Sequence, residues 1–64
     1  MATLTKNDIR IRFVDHPNSR GIIEEHFNDY YKYDEELSLY SNQICFLEEV
    51  RIKNLWDNLI KALE

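Results

Sequence analysis

Two histidines, one cysteine and several neighbouring carboxylates are the side chains in this sequence best suited to covalent or proton-transfer chemistry. Their spacing argues against that use. His16 and His26 lie ten residues apart, one in a Pro-containing loop and one beside an apolar helical stripe, where a packed or edge histidine is the usual outcome. Cys45 has no basic neighbour in sequence to favour its thiolate, so a buried inert thiol is expected. Glu25 and Asp29 are surface neighbours on a helix, and acid–base catalysis needs a pocket that so short a chain can hardly enclose. A single glycine cannot build a phosphate-cradling loop, and Cys and His do not recur at zinc-site spacing. Tyr30, Tyr31 and Tyr33 could stack on bases, but the charge around them has the wrong sign for nucleic acid. The expectation is a protein that is not an enzyme and takes no cofactor or metal.

Charge is the more informative property. The net charge of −4 is unevenly spread: residues 24 to 49 carry eight acids against Lys32 alone, a local charge of −7. The preceding segment holds Lys6, Arg10, Arg12 and Arg20 against Asp8 and Asp15. Such a middle repels a phosphate backbone and attracts a basic surface. Simple solubility of a small domain explains the acids equally well.

The elements that must carry these side chains read as helices. Pro17 and Gly21 bracket the loop His16-Pro17-Asn18-Ser19-Arg20, and everything after Gly21 lacks both breakers. From Ser19 to Tyr33, Ile22, Ile23, His26, Phe27, Tyr30 and Tyr33 share one face, with Ser19 as the expected cap. Asp34-Glu35-Glu36 reads as a second helix start. Beyond it Leu37, Tyr40, Ile44 and Leu47 form a stripe that, after a slip, Ile52, Leu55, Leu59 and Leu63 continue on nearly the same face, a helix on the order of 40 Å unless it breaks or bends near Trp56. Leu39, Phe46 and Val50 make a second apolar face opposite that stripe, either sandwiched internally or meeting another molecule. A hairpin turning at Ser41-Asn42-Gln43 accounts for fewer residues. Lys6–Val14 is ambiguous: Thr5 and Asp8 suggest a capped helix, whereas Ile9, Ile11 and Phe13 alternate with Arg10 and Arg12 as in a strand; a short helix is favoured. The expected fold is all-α, a single domain of three to four helices with one long C-terminal helix.

A 64-residue chain buries only about 60% of the surface it exposes when unfolded, and one cysteine cannot form an internal disulfide. A partner or a second copy is the natural source of further buried area. The lone thiol fits a reducing cytoplasm, the opening Met1-Ala2-Thr3-Leu4-Thr5-Lys6 has no apolar core for secretion, and no later run is long enough to span a bilayer.

Leu37, Tyr40-Ser41, Leu47, Glu49-Val50 and Leu55-Trp56-Asp57 resemble the central helix of the Hha/YmoA family of small bacterial proteins. Thr5-Lys6-Asn7-Asp8 with Arg12 is similar to that family's Thr-Lys-x-Asp and Arg start, and Asp34-Glu35-Glu36-Leu37 to its Asp-x-Glu-Leu step. The similarity runs from Thr5 to Asp57, with a short gap before Tyr40. Where the family has Ala-Ala-Asp-His-Arg this chain has Asn42-Gln43-Ile44-Cys45-Phe46, and Ile44 replaces the family's partner-contacting Asp. The resemblance implies a co-regulator that docks on the N-terminal dimerisation domain of a nucleoid-associated protein of the H-NS kind, with Glu24 and Asp34 at the family's acidic contact positions.

The expected function is therefore a small acidic regulator that binds a basic protein surface, with Glu24, Asp34, Glu36, Leu39, Phe46 and Val50 as contact residues and little direct nucleic-acid binding. One alternative is a phage-type inhibitor imitating nucleic acid, although Arg10, Arg12 and Arg20 argue against it. Another is a homo-oligomeric structural protein held by Leu39, Phe46 and Val50, in which Phe46→Glu would break a dimer without unfolding it.

Overall fold

In a computed structural model, which describes residues 5–64, the ambiguous first segment is a helix, α1 (Lys6–Asp15). Its start is a reciprocal capping box: the Thr5 hydroxyl accepts from the Asp8 amide at 3.1 Å, and the Asp8 carboxylate accepts from the Thr5 amide at 3.2 Å. Helical spacing then turns Ile9 and Phe13 inward and leaves Ile11 on the surface. Pro17 pushes His16 into an extended conformation, which ends the helix.

Helix α2 (Ser19–His26) is shorter than its pattern suggested, and Asn18, not Ser19, occupies the cap position. Ser19 is buried instead, its hydroxyl accepting from the Gln43 side-chain amide at 2.9 Å. The helix stops at His26, which is exposed, and does not reach Tyr33. Beyond it the Tyr30 and Tyr31 amides both donate to the Phe27 carbonyl, closing a turn. The following segment finds its backbone partners on one side chain, that of Asn42. Its Oδ1 accepts from the Asp34 amide and the Tyr31 hydroxyl, both at 2.8 Å, while its Nδ2 donates to the Asp34 and Ser38 carbonyls at 2.8 and 2.9 Å. A buried amide has here replaced the helical ladder.

The expected long C-terminal helix is not formed. Asp34–Glu36 is a turn, not a helix start, and α3 (Leu39–Lys53) begins only at Ser38, whose hydroxyl accepts from the Ser41 amide at 3.1 Å. It ends at Asn54, which adopts the left-handed conformation (φ 54°, ψ 54°), and the Leu55 amide reaches back to the Val50 carbonyl at 2.9 Å. Asparagine tolerates that conformation better than most residues, so this Schellman-type stop separates α3 from α4 (Trp56–Leu63). The fold is an all-α globule of four short helices.

Which face of α3 is inside is also settled. Asn42, Gln43, Phe46, Leu47 and Val50 point into the core, whereas Leu37, Tyr40, Ile44 and Ile52, read as the main stripe, are exposed. Phe46 lies at the centre, with the rings of Phe27 at 4.9 Å, Phe13 at 5.0 Å and Tyr31 at 6.1 Å. Ile9, Ile22, Ile23, Trp56 and Leu59 complete the core around them. Phe46 and Val50 are both fully buried, so neither can serve as a contact residue. Burying charge at that centre would unfold the domain, which removes the homo-oligomer built on Leu39, Phe46 and Val50. Among the described residues, no helix is long and apolar enough to cross a membrane. The opening stretch read for a secretion core includes residues 1–4, which lie outside the described residues.

Candidate protein-binding surface

The segment from Asp34 to Tyr40 leads from the turn after α2 into α3 and is ordered by its polar partners. Asn42 fixes it from beneath, and the Asp34 carboxylate accepts from the Glu36 amide at 2.9 Å, a local Asx turn. The Leu37 amide donates to the Asp34 carbonyl at 3.1 Å. Burial, reinforced by neighbouring Cys45 and Asp34, raises the Tyr31 phenol above its ordinary pKa, which keeps it a donor to Asn42. On this base Leu37, Leu39 and Tyr40 stand in solvent, Tyr40 being 63% exposed. Tyrosine is a favoured anchor of protein contacts, and neighbouring large apolar side chains in solvent mark an interaction surface.

The electrostatics are narrower than composition suggested. Arg20, from outside the acidic stretch, bridges Glu24 and Glu35 and lies over the Tyr33 ring at 4.3 Å. Arg51 pairs with Glu48 at 3.0 Å, which holds that carboxyl below the ordinary range, and Lys53 pairs with Glu49. Four of the eight acids between residues 24 and 49 are thus matched by bases. Among the described residues Glu25, Asp29, Asp34 and Glu36 form no ion pair.

Of the expected contact residues, Asp34, Glu36 and Leu39 therefore share one exposed, ordered segment, and Arg20 ties Glu24 to it through Glu35. Glu24 is already neutralised there. Leu37 and Tyr40 were missed because their spacing with Ile44 and Leu47 reads as an inward stripe. Cys45, expected to be buried, is exposed next to that core-facing strip.

A second feature lies between α1 and α3, a groove of about 240 Å³ walled by Ile11, Val14, Tyr40 and Ile44. Phe13 meets Phe46, and the Val14 carbonyl accepts from Gln43, so the two helices run in opposite directions. Asp15 accordingly stands at the Tyr40 end of the groove, and Arg10 stands at the Glu48 end.

No protein-family model, curated protein or solved structure matches this chain. Among the described residues, no group of three His, Cys, Asp or Glu side chains is placed to hold a metal ion. What the surface offers chemically is uncompensated carboxylate beside exposed leucine and tyrosine, a combination suited to docking on protein.

Proposed function

We propose that this chain is a small protein-binding regulator that docks the Asp34–Tyr40 segment on a basic protein surface. The observation that carries the reading is the pairing, on one ordered turn and the first residues of α3, of two carboxylates without an ion pair among the described residues with Leu37, Leu39 and Tyr40 in solvent. Pre-ordering lowers the conformational cost of binding, the carboxylates favour encounter with Arg or Lys, and the apolar side chains slow dissociation. The resemblance to the Hha/YmoA family supplies the partner: the N-terminal dimerisation domain of a nucleoid-associated protein of the H-NS kind, bound so as to modulate transcription. The start motif supports that resemblance, since Thr5 and Asp8 close the cap of α1, whereas the residues likened to one central helix are divided between the turn before α3, α3 itself and the start of α4. Ile44, in place of the family's contact Asp, carries no charge, so the charged contact falls on Asp34 and Glu36.

Imitation of nucleic acid is the weaker reading, because Arg20, Arg51 and Lys53 pair with four of the eight acids between residues 24 and 49, Arg20 with two of them. Isothermal titration against an H-NS-like N-terminal domain tests the proposal. Replacing both Asp34 and Glu36 by Lys is expected to weaken binding at least about tenfold, more at low than at high salt, and Glu24→Lys less. Unchanged affinity in the double variant would sink the electrostatic contact, and no binding by the unaltered chain would sink the partner.

A further inference from the structure

We propose that the groove between α1 and α3 is the contact face of a two-fold homodimer. The reason is its charge, which reverses along its length. At one end Asp15 is exposed and without an ion pair among the described residues. At the other end Arg10 likewise lacks an ion pair, and its buried Nε has no hydrogen-bond partner. Glu48 beside it is engaged by Arg51. A uniformly basic partner would set its charge against Arg10, and a uniformly acidic one would oppose Asp15 and Glu48. A second copy turned about an axis through the middle of the groove opposes unlike charges at both ends, and the Glu48 that its Asp15 approaches is already engaged by Arg51. Its two-fold symmetry lays each Arg10 over the other copy's Asp15 and brings the two sets of Ile11, Tyr40 and Ile44 together between them.

Two further facts fit this occupant. The Arg10 guanidinium lies over the Trp56 ring at 5.8 Å, so its charge is presented from a fixed place. The apolar wall is also substantial for so small a molecule: Ile11, Tyr40 and Ile44 are 53%, 63% and 42% exposed, and because Tyr40 also ends the docking segment, a second copy and the basic partner compete for it. Dimerisation would bury that surface in a domain with no disulfide to staple it.

Sedimentation equilibrium of the full chain, from micromolar to millimolar concentration, tests the assignment. The mass is expected to rise from one chain to two. Ile44→Asp should remain a single chain throughout with its helical circular dichroism intact, and Tyr40→Ser provides the same test should the aspartate disturb folding. Arg10→Asp and Asp15→Arg should each weaken the dimer on the order of tenfold, and the two together should restore most of the loss, since only a two-fold contact re-pairs them. A chain that stays single at millimolar concentration overturns the proposal. So does unaltered dimerisation of folded Ile44→Asp and Tyr40→Ser, or a folded double swap no stronger than either single change.

Discussion

Phe46→Ala is expected to destabilise the domain by about 3–5 kcal/mol. The side chain is wholly buried and touches three other rings, two of them within 5.0 Å, so its removal leaves a void bounded by α1, α2 and α3 at once. Domains of this length have total stabilities of roughly 3–10 kcal/mol. The variant should therefore lose most or all of its cooperative urea transition, followed by far-UV circular dichroism. A midpoint equal to that of the unaltered chain would mean that the other face of α3 is the inner one. That outcome would also return Phe46 to the surface as a contact residue.

The second large effect belongs to a polar side chain. Asn42→Leu keeps nearly the same volume but removes the acceptor of the Tyr31 hydroxyl and Asp34 amide, and the donor to the Asp34 and Ser38 carbonyls. Each buried group left unpaired costs about 1–3 kcal/mol, and water can reach some of these half-buried ones, so a total of roughly 2–4 kcal/mol is expected. The consequence extends to function. Without Asn42 the Asp34–Tyr40 segment loses its tether, so partner affinity should fall although no contact residue has changed. Amide hydrogen exchange at Asp34 should accelerate more than exchange at Ile23, inside α2. Equal acceleration at both would show that Asn42 contributes only to global stability.

These two residues also show where the sequence was legible and where it was not. Thr5 and Asp8 only favour a helix against the strand-like alternation of Ile9, Ile11 and Phe13. The face Ile22-Ile23-Phe27 points directly to what it builds, because local spacing alone determines it. The inner face of α3 does not, since two of its five inward side chains are the amides of Asn42 and Gln43. Their burial is made tolerable by partners distant in sequence: Tyr31, Asp34, Val14 and Ser19. A count of apolar residues passes over them and selects Leu37, Tyr40 and Ile44 instead. Two of the same bonds, joining Asn42 to Tyr31 and Asp34, hold the segment after α2 outside the helix that its spacing suggested. The stop at Asn54 is more local, and the slip in the stripe before Ile52 hints at it, yet asparagine is compatible with a helix interior and forces no break there. For the surface, the carboxylates were evident in sequence, but of their pairings with Arg20, Arg51 and Lys53 only Arg20–Glu35 needed the fold, the others following from helix register.

The most direct test of the binding surface is a map of backbone amide shifts in the nuclear magnetic resonance spectrum as the H-NS-like N-terminal domain is added. The largest changes are expected from Asp34 to Tyr40, with smaller ones near Glu24, all diminishing as salt is raised. Changes concentrated on α4, with Asp34 to Tyr40 unmoved, would contradict the account.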